Sequence, residues 1–215
     1  MTTIIQAAGN RTELAYIPET TAGTTPATPT LQQIAVISNG LDYSRDKIDD
    51  NSIRGDRMKY YERLGNINVG GKISTSFAPQ AYDDFLSSVF GASWATNVLK
   101  VGSVLKTFTM ETAYLDITQY ASYTGMTVSS MDLDIQQGNK IIQADWTMVG
   151  MGGAKSGTSL SGSAYTATVS DTPFVHLDGV FTVGGSPAGW MTGIKLKMDN
   201  KTMVNHNLGS ASARG

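Results

Sequence analysis

Residues 66–77 restrict this chain to a β fold. Ile67, Val69, Ile73 and Phe77 stand at odd positions, and Asn68, Lys72, Ser74 and Ser76 at even ones. Side chains that alternate with a period of two lie on opposite faces of an extended strand. The pattern therefore predicts one strand with a dry face and a wet face, about 35–40 Å long at ~3.3 Å per residue. Strands commonly run to about five or six residues, so one of this length suits a wall better than a compact sandwich.

The same alternation returns twice. Met131, Leu133 and Ile135 oppose Asp132, Asp134 and Gln136, and Ile194, Leu196 and Met198 oppose Lys195, Lys197 and Asp199. Further strands are predicted at 14–17, 31–38, 106–114, 117–123, 141–149 and 175–183. Asn39-Gly40 and Gly138-Asn139 supply turn signals. Ile141, Ile142, Trp146 and Met148 set apolar groups on both sides of 141–149, which predicts a strand covered on both faces. Pro18, Pro26 and Pro29 favour extended backbone between them.

One helix is expected, over 79–90. Pro79 fits a first turn, and Asp83 and Asp84 suit the positive end of the dipole. Tyr82, Phe85, Leu86 and Val89 form a single apolar stripe, and Gly91 is placed to end the helix. The sum is an antiparallel, mainly β protein with one helix. Residues 1–11 read as a flexible arm and 12–215 as a single domain. A Gly/Ser-rich loop is expected at 150–163.

Charge is sparse and local. Charged residues make up 16% of the chain and the net charge is -2, so the basic excess of a nucleic-acid binder is missing. Ser and Thr together number 45 of 215 residues, so most of the surface has to be polar without charge. Residues 42–63 are the exception, with 12 charged side chains in 22, six of each sign. They read as a long exposed loop, and balanced mixed charge suits a matching protein partner better than a polyanion.

Catalytic and ligand chemistry finds no foothold. There is no cysteine, and His176 and His206 sit in no metal-ligand spacing. Gly70-Gly71-Lys72-Ile73-Ser74 fails the phosphate-loop pattern because Lys72 lies in a strand and Ile73 occupies the Ser/Thr position. Ser103-Val104-Leu105-Lys106 has no companion motif. No cofactor and no enzymatic activity are expected. Met1–Gln6 has neither a basic segment nor a sustained apolar run, so synthesis in the cytoplasm and no membrane insertion are expected.

Several segments, taken in order, resemble the bacteriophage tail tube family. They are Glu19-Thr-Thr-Ala-Gly23-Thr-Thr-Pro26-Ala-Thr-Pro29, Ser52-Ile-Arg54-Gly-Asp-Arg57, and Gly65 to Val69 with Gly71 and 73–77. Tyr82-Asp83, Trp94, Tyr123-Thr-Gly125, Asp199-Asn200 and Leu208-Gly209-Ser210 complete the set. The resemblance implies a β-sandwich or half-barrel with a flanking helix, and six-fold or pseudo-six-fold rings whose strands close into one barrel around a lumen. Stacked rings would form the conduit for DNA ejection, with other tail proteins at the tube ends. Proteins of this type continue into further strands past the Leu-Gly-Ser region, whereas six residues follow Gly209 here.

Under that resemblance, Asp132, Asp134 and Gln136, with Asn68, Ser74 and Ser76, are expected to face the lumen. Lys72, Lys195 and Lys197 lie on the same strands and would make the lining mixed. Arg45, Asp46, Lys47, Asp49, Asp50, Arg54, Asp56 and Arg57 are expected to pair between rings. Two rival readings are a tube protein of a contractile secretion system and a carbohydrate-binding or adhesin-like β module of the virion. The second would place Trp94 or Trp190 in an open cleft.

Overall fold

The computed structural model describes residues 9–50, 52, 55, 61–138, 140–162, 164–170 and 172–214. In chain order the strands are β1 (Thr12–Pro18), β2 (Gln32–Ile34), β3 (Val36–Asn39), β4 (Asp42–Asp49) and β5 (Glu62–Ser76). Helix α1 (Asp83–Phe90) follows, then β6 (Phe108–Tyr114), β7 (Gln119–Gln136), β8 (Gln143–Gly150) and β9 (Gly152–Ser156). The chain ends with β10 (Thr182–Val183), β11 (Ser186–Pro187), β12 (Gly193–Asp199), β13 (Asn205–His206) and β14 (Ala213–Arg214). Ten strands form one antiparallel sheet, ordered β2-β1-β6-β7-β8-β5-β3, with β12 and β9 also on β7 and β4 on β5. Within one chain this sheet does not close into a barrel.

β7, 18 residues long, organises the sheet. Its first half pairs with β6 and β9, and its second half with β12 and β8. The sequence suggested two separate strands because the apolar alternation changes phase. Ala121 and Tyr123 point inward, then Met126 and Val128, then Met131. Each change coincides with a register irregularity, one opposite Phe108/Met110 and one at Val128/Ser130. An extra residue in a strand flips every later side chain to the other face.

One core fills the angle between the two halves. Tyr16 of β1 meets Phe85 at 5.1 Å and Phe108 at 5.7 Å, and Phe85 meets Trp146 at 5.5 Å. Helix α1 begins later than expected, at Asp83, and lays Phe85 and Val89 into this core. Gly91 ends it in the left-handed conformation at φ 61. Asn200 donates to the otherwise orphaned Val89 carbonyl at 2.9 Å, so the chain after β12 is tied to the helix end.

Four expectations need correction. First, 42–63 is not one loop, because Asp42–Asp49 is strand β4, paired along its length with β5. Alternating charge hid a ribbon whose two faces are both solvated. Second, 150–163 contains β9, which continues the β8 pairing along β7 after a kink at Met151. Third, β8 is buried on one face only: Ala144, Trp146 and Met148 are buried, whereas Gln143 is exposed and Asp145, Thr147 and Val149 are half-buried. Fourth, the strand expected at 175–183 is reduced to β10 and an isolated bridge between Ile141 and Val175. Of the predicted N-terminal arm, Gly9–Arg11 form a 3-10 turn held by Leu115 N–H donating to the Arg11 carbonyl at 3.1 Å. Residues 1–8 lie outside the described residues.

The outer face of β6 is covered by two polar straps. Glu111 is only 1% exposed, yet its carboxylate accepts from Ser159 Oγ at 2.6 Å, Tyr165 OH at 2.6 Å and Leu160 N–H at 2.8 Å. Burial, reinforced by the Glu111 carboxylate, pushes the Tyr165 phenol far above its usual range. Glu19 performs the same task for the 19–25 turn, accepting from Gly23 N–H, Gly125 N–H and Thr109 Oγ1. Glu111→Ala would leave three donors without their acceptor, at about 1–3 kcal/mol for each unsatisfied buried group. The expected result is a loss of roughly 2–3 kcal/mol after relaxation and rapid protease cleavage within 157–166. A variant as resistant as the parent would show that the strap is held by other contacts.

Candidate functional site

Strands β12, β7, β8 and β5 form a four-stranded wall whose two faces differ sharply. On the inner face the registered row is Met198, Met131, Trp146 and Ile73, followed by Leu196, Leu133, Ala144 and Thr75. On the outer face the intervening row is Lys197, Asp132, Asp145 and Ser74, and the next is Lys195, Asp134, Gln143 and Ser76. The pleat alone sorts these rows, because neighbouring residues on each strand point to opposite sides.

Opposite charges meet across the strands of the polar face. Lys195 Nζ lies 3.3 Å from Asp134, Lys197 Nζ 3.7 Å from Asp132, and Lys72 Nζ 2.7 Å from Asp145. Ser74 Oγ donates to the other Asp145 oxygen at 2.5 Å, and Gln136 Nε2 donates to Asp134 at 2.8 Å. The hydrogen bond to Asp145 raises the Lys72 ammonium above its ordinary value, and Asp132 adds to that effect. Partial burial works to raise the Asp145 carboxyl, but Lys72 and Ser74 outweigh it and hold the group low.

The expected lumen set is thus largely gathered on one surface. Asp132, Asp134 and Gln136 on β7 and Ser74 and Ser76 on β5 share it. Asn68 lies further along β5, beyond the end of β8, and donates to Asp46 of β4 at 2.7 Å. Asp145 and Gln143, which complete the rows, were missed. Their strand was read as covered on both sides, and the polar residues at alternate positions (143, 145 and 147) were the available signal.

The wall has a free side. Among the described residues β12 has no strand partner other than β7, so its outer edge presents unpaired N–H and C=O groups. The opposite side ends on β3 and β4. Beyond Val69, β4 and β5 project as a two-stranded ribbon. It carries Arg45, whose guanidinium donates to the Gly65 carbonyl at 3.4 Å, and Lys47, which pairs with Asp49 at 3.5 Å and with Glu62. Asp50 accepts from Ser52 N–H at 2.9 Å. The apolar side chains Ile48, Tyr61 and Leu64 stand exposed on the same ribbon. Arg54, Asp56 and Arg57 lie outside the described residues.

Neither tryptophan marks a ligand cleft. Trp94 donates its indole N–H to the Asp83 carbonyl at 2.9 Å beside the start of α1. Trp190 is 76% exposed, while the adjacent groove of about 270 Å³ is lined by Ile135, Phe181, Ala188, Met191 and Ile194. Among the described residues no three His, Asp or Glu side chains converge as a metal site.

The fold is shared with a solved structure. A chain of the anti-feeding prophage baseplate shares 9% identity at a TM-score of 0.51, over 72% of this chain and 97% of that one. A chain of the sheath-tube complex of an extracellular contractile injection system shares 14% identity at a TM-score of 0.44, over 71% and 93%. No curated protein matches the sequence. The family described as Phage tail tube protein matches residues 9–215, nearly the whole sequence, and the chain therefore belongs to that family.

Proposed function

We propose that copies of this structural tail tube subunit close into six-fold or pseudo-six-fold rings, and that the rings stack into the conduit through which DNA leaves the particle. The observation that carries the reading is the four-stranded wall, apolar on one face, polar on the other, and ending on the unpaired edge of β12. Pairing β12 of one copy with the β3/β4 side of the next satisfies both edges, and only a closed ring leaves none free. The baseplate chain that shares the fold comes from a six-fold symmetrised assembly, which supports that ring order. Asp132, Asp134, Gln136, Ser74 and Ser76 then line the bore, with Asn68 toward one mouth. The ribbon of β4 and β5 reaches the adjacent ring with Arg45, Asp46, Lys47, Asp49 and Asp50, together with Arg54, Asp56 and Arg57. Residues 12–215 act as one unit, synthesised in the host cytoplasm, with other tail proteins capping the tube ends. The role is mechanical, and no reaction is assigned to it.

Imaging of assembled tubes tests this directly. The expected map places β12 beside the β3/β4 side of a neighbour and turns Asp132 and Asp134 to the bore. A map with those aspartates on the outer surface would overturn the assignment. In a second arm, Arg45→Glu with Lys47→Glu should shorten tubes or prevent them. Single exposed pairs contribute only ~0–1 kcal/mol, but ring symmetry repeats each one. Tubes of normal length from that variant would remove the ribbon from ring stacking.

A further inference from the structure

We infer that the polar face is made inert to duplex DNA by internal neutralisation, with each of its lysines held by an aspartate of a neighbouring strand. The inference rests on the proposed bore only for where the face lies, not for how it behaves. Lys72, Lys195 and Lys197 are long, exposed cations on one surface, the arrangement that ordinarily attracts phosphate. Each meets a carboxylate within 2.7–3.7 Å across the sheet. β12 sets Lys195 and Lys197 directly opposite Asp134 and Asp132 of β7, and β5 sets Lys72 one diagonal step from Asp145 of β8, so the match follows from the strand pairing. Asp132 sits between Lys197 and the field of Lys72, which links two of the pairs.

The charges in these pairs cancel: three lysines against three aspartates. A passing polyanion meets alternating signs a few ångströms apart, and their fields die away well inside the Debye length of about 8–10 Å. The face neither captures phosphate nor repels it from a distance. A wall of unpaired acids would repel DNA, and a wall of unpaired lysines would bind it; this one is built to do neither. The polar neighbours Ser74, Ser76 and Gln143 add no charge to the balance.

Removing the aspartates exposes the mechanism. The full chain carrying Asp132→Asn, Asp134→Asn and Asp145→Asn is tested against a short labelled duplex, using unassembled subunits in which the face is open. The parent is expected to show no measurable binding. The triple variant should bind with an affinity that falls about 40-fold between about 50 and 200 mM salt, the slope set by roughly three phosphate contacts. The single variant Asp134→Asn frees one lysine, should bind weakly with a log–log salt slope of about -0.9, and guards against a misfolded triple variant. Adding Lys72→Gln, Lys195→Gln and Lys197→Gln to the triple variant should restore inertness. Overturning results are a parent that binds as tightly as the triple variant, or folded single and triple variants that both stay inert. Tubes of the triple variant then report separately on the bore: bound duplex protected from nuclease places the face inside, and bound but digested duplex places it outside while leaving the neutralisation intact.

Discussion

Replacing Gly71 with alanine should abolish accumulation of folded protein. Gly71 has φ +153, and a Cβ there would stand 2.0 Å from the Gly40 carbonyl oxygen, 2.6 Å from its carbon and 2.9 Å from the Leu41 Cα. All three are backbone atoms, so no rotamer change relieves the overlap. The 40–41 connection between β3 and β4 runs close beside β5 at this point and is pinned by Gly40 N–H donating to the Lys72 carbonyl at 2.9 Å. Accommodating a methyl means lifting that connection off β5 and losing the adjoining ends of the β3 and β4 pairings. The cost belongs among the exceptional substitutions, above about 4–5 kcal/mol, against a total stability of roughly 5–15 kcal/mol. Soluble yield and thermal melting provide the measure. Gly55→Ala, with nothing within 4 Å of the new methyl, is the control and should change stability by less than about 0.5 kcal/mol. A soluble Gly71→Ala protein melting within a few degrees of the parent would show that this close approach yields cheaply.

Trp146→Ala carries the second-largest expected effect. Trp146 is fully buried at the centre of the inner face, stacked on Tyr82 at 5.8 Å and edge-on to Phe85 at 5.5 Å. Its indole N–H donates to Thr75 Oγ1 at 3.0 Å, and Thr75 in turn donates to the Ala144 carbonyl at 3.1 Å. Truncation empties the contact between the wall and the helix, at about 3–5 kcal/mol for such a residue. For a chain of this size the midpoint should fall by roughly 6–20 °C, at about 2–4 °C per kcal/mol. Trp146→Phe refills most of the volume and should recover more than half of the loss. A midpoint shift under about 3 °C for the alanine variant would mean that the helix does not depend on this ring.

Much of this was legible because period-two alternation is a direct imprint of the pleat. β5, the second half of β7 and β12 were readable from Ile67 to Phe77, Met131 to Gln136 and Ile194 to Met198, and those strands carry the polar face. Tyr82, Phe85 and Val89 announced the helix for the same reason, at the other period. What stayed hidden has physical causes. β4 was concealed because a ribbon wet on both faces shows no alternation. The continuity of β7 was concealed because two irregularities reset its phase. Pairing of Lys195 with Asp134 and of Lys197 with Asp132 depends on strand neighbours more than fifty positions apart, and periodicity says nothing about who sits beside whom. Glu111 did leave a trace, as the only charge in Phe108-Thr-Met-Glu-Thr-Ala-Tyr. A lone acid in such a stretch asks for buried donors, although the sequence did not say which.

β7 also has a mechanical consequence. Since a single continuous strand enters both halves of the sheet, a pull applied to the half formed with β6 and β9 travels along covalent bonds into the wall without crossing a packed interface. Side-chain contacts can slip by a rotamer; a peptide backbone already extended has almost no slack. Within one subunit, load between the two halves of the sheet is therefore carried by backbone, and it should be the softer packing of helix and straps that yields first.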